Sequence, residues 1–196
     1  MTNYQPITLP LLDAIQQDIL NTIPTTVPEE RRYLYFDALN TDTLLKIPSL
    51  YISLQQLNLI DYIDRMAMSH SLKSQSLIHI DPIGAIYSLN IPIANYHNTY
   101  LCFYSTNIKP SYNIVTTSKT KEEIRRLTYT EFKDTDCTLI EKYETTEPAL
   151  INTKTPHKFY NLWNKHRTIL LIRLKENFDP TSLVRLHGCD RNARIT

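Results

Sequence analysis

From residue 65 onward the chain is a succession of short β-type runs, each closed by Pro, Asn, Asp or Ser. No other feature of the sequence constrains the fold as much. The runs are Arg65–Leu72, Leu77–Ile80, Ala85–Ile93, Thr99–Tyr104, Tyr112–Thr116, Thr138–Tyr143, Ala149–Asn152, His157–Tyr160 and Arg167–Leu174. Many short strands separated by turn signals indicate a sandwich or barrel, whereas a parallel sheet would need helical stretches between them. Glycine occurs twice, at Gly84 and Gly188, against eleven prolines. The turns therefore rest on Pro, Asn, Asp and Ser. The same scarcity excludes Gly-rich phosphate loops: there is neither a dinucleotide fingerprint nor a P-loop.

Residues 1–64 read as helix-rich. Leu11, Leu12, Ile15, Ile19, Leu20 and Ile23 recur at helical spacing after Pro10, and Pro24 and Pro28 then stop that helix. Tyr33-Leu34-Tyr35-Phe36 predicts a short strand. Leu54, Leu57, Ile60 and Ile63 predict a second amphipathic helix. Thr120-Lys-Glu-Glu123 has the form of a capping box opening a helix over Glu122–Leu127. It lies within the segment 117–136, which reads equally as a lid or as a plain surface excursion. Asp179-Pro180 predicts the start of a short last helix. A chain of 196 residues can bury its own core as one domain. The predicted organisation is a helix-rich support at 1–64, a core at 65–175 and a tail at 176–196. The fold class is mainly β with flanking α. It is a jelly roll, or cupin-like double-stranded β-helix, with N-terminal buttressing helices.

The formal net charge of +1 gives no case for a nucleic-acid or acidic-membrane partner. Arg31-Arg32 and Arg125-Arg126 read as solvated helix faces. No apolar run reaches the roughly 18 residues of a membrane span, and no secretory signal is expected at the N-terminus. Cys102, Cys137 and Cys189 are odd in number and lack metal-type spacing, which fits a reduced, cytoplasmic compartment.

His79-Ile80-Asp81 is the first group that carries chemistry. Residues i and i+2 of a strand share a face, so an imidazole and a carboxylate stand side by side while Ile80 faces the opposite layer. Such a pair begins a facial iron site, completed by a distant histidine. The pattern alone is weak: composition gives roughly 0.3 such matches by chance. Its setting, at the end of an apolar strand before a turn with Pro82 and Gly84, gives it value. His157, in Thr155-Pro156-His157, supplies the third ligand from another strand. His97 lies in a polar loop, His166 in a turn, His187 in the tail, and His70 is early in the chain. Arg167 follows ten residues after His157, at the mouth of the apolar strand Thr168–Leu174. A cation placed there needs an anionic partner, and a guanidinium holds a carboxylate through two parallel hydrogen bonds. Arg173 shares its strand parity and is the rival.

These residues, with Ser88-Leu-Asn-Ile-Pro-Ile93, Thr99, Phe103-Tyr104 and Pro148-Ala-Leu-Ile-Asn-Thr153, resemble the iron(II)/2-oxoglutarate-dependent oxygenases. The likeness is to the aspartyl/asparaginyl β-hydroxylase-like and prolyl-hydroxylase-like branches, over about residues 65–175. The aspartyl-hydroxylase branch often lacks the acidic ligand, whereas this chain keeps Asp81, which separates it from that branch. The resemblance implies that His79, Asp81 and His157 hold Fe(II) and that Arg167 matches the family's basic residue after the distal histidine. It implies 2-oxoglutarate and O2 as co-substrates. Succinate and CO2 are then released as a C–H bond of a protein side chain or a small molecule is hydroxylated. Asn90 and Tyr104, with Thr99 as a further option, could line the co-substrate pocket. Against that, Asn90 could close a strand-edge turn and Tyr104 could belong to the core. Trp163 reads as surface-packed rather than as a substrate cover. Three alternatives stand beside this reading. One is a cupin-type metalloprotein without 2-oxoglutarate, which has no need of Arg167. The second is a non-enzymatic jelly-roll binding module, in which His157 would lie far from His79. The third is a zinc hydrolase, for which no general base is evident.

Overall fold

Two antiparallel sheets carry the molecule, and helices cover one of them. The structure, a computed structural model, describes residues 2–23, 34–39, 41–72, 77–81, 86–109, 130–163 and 165–183. The predicted strand at 112–116, the helix at 122–127 and most of the segment 117–136 lie outside these residues. The elements are β1 (Tyr4–Pro6), α1 (Leu12–Thr22), β2 (Leu34–Leu39), α2 (Thr41–Leu45), α3 (Pro48–Gln56), β3 (Ile63–Ser71) and β4 (Ile78–Ile80). There follow β5 (Tyr87–Ala94), β6 (Thr99–Thr106), β7 (Thr130–Phe132), β8 (Cys137–Glu144), β9 (Ala149–Asn152), β10 (His157–Asn161) and β11 (Arg167–Leu174). Among the described residues no helix is long and apolar enough to cross a membrane.

The larger sheet has six strands in the order β1-β9-β5-β11-β3-β2, and the smaller has five in the order β7-β4-β10-β6-β8. From β3 to β6 successive strands change sheet each time. They do so again from β8 through β9 and β10 to β11. A chain that alternates in this way places consecutive strands face to face across the interior.

Side-chain parity divides the larger sheet. Met66, Met68, Leu89, Ile91, Ile93, Leu170, Ile172 and Leu174 pack in one cluster with Ile15 and Ile19 of α1 and Leu50 and Leu54 of α3. The helices therefore cover the outer face of this sheet, as the N-terminal pattern predicts. Alternation then turns Ser69, Ser71, Ser88, Asn90, Arg167, Leu171 and Arg173 toward the smaller sheet. Tyr4, Ala149 and Ile151 meet Leu101 and Phe103 between the two sheets. The second predicted helix is displaced. Pro48, a favourable first-turn residue, opens α3. Asn58, at φ 54°, stops the chain from continuing beyond it. Ile60–Tyr62 forms only a 3-10 turn, and Ile63 already begins β3.

Candidate metal centre

β4 is three residues long, and its parity is set by packing. Ile78 is buried in a cluster with Cys102, Tyr104 and Phe132, and Ile80 packs against it, on the side of the smaller sheet away from its partner. His79 consequently points into the space between the sheets. Asp81 follows at the strand end, its N–H donating to the carbonyl of Thr153 at 3.1 Å. β10 begins at His157, which stands directly opposite His79 on one side and Phe103 on the other. Side chains directly opposite in antiparallel strands have Cβ atoms about 4.5–5.5 Å apart. Here the two imidazoles lie with ring centroids 4.5 Å apart and planes 53° from one another.

One ligand atom from each of His79, Asp81 and His157 lies within 4.8 Å of the other two. His79 Nε2 is 3.7 Å from Asp81 Oδ1. Each imidazole is also oriented from behind. His79 Nδ1 is 2.8 Å from the carbonyl of Leu77, and His157 Nδ1 is 2.9 Å from the carbonyl of Thr155. A carbonyl only accepts, so Nδ1 carries the hydrogen and each neutral ring leaves its Nε2 lone pair for an ion. Burial, then His79, holds the pKa of His157 down to about 4 against the opposing pull of Asp81 and Thr155, with a smaller push down from Arg173. The ring is therefore neutral at neutral pH. Burial alone would raise the pKa of Asp81. The charges of Arg173, His157 and His79, with the hydrogen bond from Arg173, outweigh it and keep the carboxyl below its ordinary value. Two neutral imidazoles and a carboxylate, converging and fixed in tautomer, fit a divalent cation of the type bound by facial N,N,O sites.

The two arginines have different surroundings. Arg173 Nη1 donates to Asp81 Oδ2, which leaves Oδ1 toward His79. Its role here is to orient a ligand carboxylate. Arg167 is buried at 6% exposure. Its guanidinium lies 3.7 Å from the centre of the Phe159 ring, and Nη2 donates to Thr145 Oγ1 at 3.4 Å. Thr145 in turn shares a 2.6 Å hydrogen bond with Thr99. No carboxylate of the described residues pairs with Arg167, and its Nε has no partner among them. Burial pulls its pKa down, opposed by Tyr4.

Asn90 lies opposite Leu171 of β11, and its Oδ1 accepts from Ser88 Oγ at 2.7 Å. It faces the interior. Tyr104 does not join the centre. Leu101 and Phe103 face inward, so alternation sends Cys102 and Tyr104 to the other face. There the Tyr104 hydroxyl bonds that of Tyr160 at 2.9 Å. Trp163 is half-buried in its turn, its N–H on Asn161 Oδ1 and its ring edge-on to His97. Tyr4, Ser71 and Thr145 were not legible as site residues. Their approach to Arg167 depends on strand register, which the sequence does not display.

No family model matches the chain, and no curated protein matches it. Among solved structures, the X-ray structure of E. coli ycfD aligns with a TM-score of 0.42 at 11% identity, over 83% of this chain. The chain spans 39% of the length of that one. A likeness at this level carries no functional weight.

Proposed function

We propose that this protein is an iron(II)- and 2-oxoglutarate-dependent oxygenase built on a double-stranded β-helix. Strand order supports the fold. β9-β5-β11-β3 in one sheet face β4-β10-β6-β8 in the other, and this is the interleaving that a jelly roll produces. The observation that carries the function is a metal-type donor set one strand away from a buried guanidinium without a counter-ion. His79, Asp81 and His157 would hold iron(II), Arg173 would orient Asp81, and Arg167 would receive the far carboxylate of 2-oxoglutarate. A buried, uncompensated cation is costly, and a dianionic co-substrate supplies the missing charge.

The bound iron would supply the redox chemistry that couples O2 and 2-oxoglutarate to insertion of oxygen into a substrate C–H bond, with succinate and CO2 released. The chain's own contribution is positional. Leu77 and Thr155 hold the two ring tautomers, and Arg167 fixes the depth at which the dicarboxylate lies. Phe103 and Phe159 wall the interior against water. Asn90 faces the same space as a polar lining residue. A protein side chain or a small molecule is the substrate class. Unpaired Cys102 and Cys137 fit a reducing compartment such as the cytoplasm. A cupin-type protein that does not use 2-oxoglutarate would leave Arg167 without a purpose. A non-enzymatic module would leave the register of His157 against His79 without one. The test is anaerobic titration with iron(II) and then 2-oxoglutarate, followed by a succinate assay with and without candidate substrates. Saturable co-substrate binding that requires the metal supports the proposal, and its absence refutes it.

A further inference from the structure

We infer that Tyr4 and Ser71 complete, with Arg167, a carboxylate-binding pocket between the sheets, so that the N-terminal strand β1 forms part of the co-substrate site. The identity of the ligand rests on the oxygenase reading; the pocket rests on the following geometry. Tyr4 Oη, Ser71 Oγ and Arg167 Nε are buried side-chain atoms without a hydrogen-bond partner among the described residues. Their residues are exposed by only 5%, 2% and 6%. Buried polar groups are nearly always satisfied, so three such atoms in one region need an explanation.

They do converge. Ser71 stands opposite Arg167 in the β3–β11 register, on the same face. Tyr143, Leu101 and Phe159 form one row across β8, β6 and β10. Tyr4 stacks on one end of that row, 4.4 Å from the Tyr143 ring, and Arg167 lies on Phe159 at the other. Burial, followed by the charge of Glu147, pushes the Tyr4 hydroxyl up to about 12, so it remains a protonated donor. A guanidinium can only donate. The group that satisfies all three at once and also brings charge is an acceptor-only anion. A water molecule could satisfy two of them but would leave the cation uncompensated. Phe159, beneath Arg167, is two residues from His157 along β10, roughly 7 Å at strand rise. That separation suits a short dicarboxylate with one end at the metal centre and excludes a monocarboxylate from using both.

The experiment is calorimetric titration of 2-oxoglutarate, with pyruvate as the monocarboxylate control, into the anaerobic manganese(II)-loaded protein. It is repeated for Tyr4→Phe, Ser71→Ala and the double variant, with melting temperatures of the ligand-free proteins. Tyr4→Phe keeps the stack on Tyr143. Each single variant is expected to weaken 2-oxoglutarate roughly ten- to a hundred-fold, the scale of one hydrogen bond to a charged group. Manganese and pyruvate binding should hold constant. The melting temperature should stay level or rise, because an unsatisfied buried hydroxyl has been removed. Unchanged 2-oxoglutarate affinity in the double variant overturns the inference and leaves the oxygenase reading intact. A parallel loss of melting temperature and of both ligands marks a structural role and also overturns it. No 2-oxoglutarate binding by the unmodified protein overturns both.

Discussion

Arg167 holds a positive charge where little water reaches it, and a truncation there has two separable consequences. Arg167→Ala removes a charge-assisted contact to the distal carboxylate of 2-oxoglutarate. Truncating one partner of such a pair costs about 2–5 kcal/mol, or roughly 30- to several-thousand-fold in affinity. Iron affinity should hardly change, and Arg167→Lys should recover part of the loss, since an ammonium lacks the planar fork. Arg173→Ala should do the reverse. It frees Asp81 Oδ2 and should weaken metal binding roughly ten- to a hundred-fold, as loss of a group orienting a ligand does. Paired titrations of both variants with iron(II) and then 2-oxoglutarate check this, and loss of co-substrate only in Arg173→Ala would move the anchor to Arg173. Proton linkage at His157 gives a separate test on metal-free protein. Its folded pKa of about 4 lies below the ordinary 6.5, so the unfolded chain accepts a proton that the folded chain refuses. Stability should therefore fall as pH drops from about 6.5 toward about 4, then level. The lowered pKa of Asp81 adds a further loss only as pH falls below the ordinary carboxylate value of 3.8. Urea denaturation across that range measures it, and His157→Gln should flatten the upper portion.

The helices act on the site only through the sheet they cover. Ile19 of α1 and Leu54 of α3 are fully buried against the outer face of the six-stranded sheet. Ile19→Ala should cost about 2–5 kcal/mol of folding stability, read from the urea midpoint, with metal affinity of the folded protein retained. A loss of metal affinity with unchanged stability would show that α1 has a direct part in the site. How much was legible depended on element length. Ala149–Asn152 and Arg167–Leu174 match β9 and β11 to the residue, because apolar runs bounded by turn formers leave little freedom. β1, α2 and β7 have three to five residues each, too few for a period to register. The helix predicted at Leu54–Ile63 failed because apolar spacing persists across Asn58, and only the left-handed backbone there reveals the break. His79, Asp81 and His157 could be read from sequence because strand parity and chain order suffice to bring them together. Tyr104 could not, since assigning it a face needed the parity of Leu101 and Phe103.

At the scale of the whole molecule, the two sheets have separate tasks. The five-stranded sheet brings His79 and His157 together by cross-strand register. The six-stranded sheet supplies Arg167, Arg173 and Ser71 from neighbouring strands. Asp81, at the end of β4, meets Arg173 of β11 across the gap, so the centre exists only where both sheets are assembled. The most direct measurement of the central claim is anaerobic calorimetry of iron(II) binding, then 2-oxoglutarate binding, for the unmodified protein and for His157→Ala. The account predicts one iron per chain, 2-oxoglutarate binding that requires the metal, and loss of both in His157→Ala while the fold persists by circular dichroism. Iron and 2-oxoglutarate binding that survives in His157→Ala, or no metal-dependent 2-oxoglutarate binding in the unmodified protein, would contradict it.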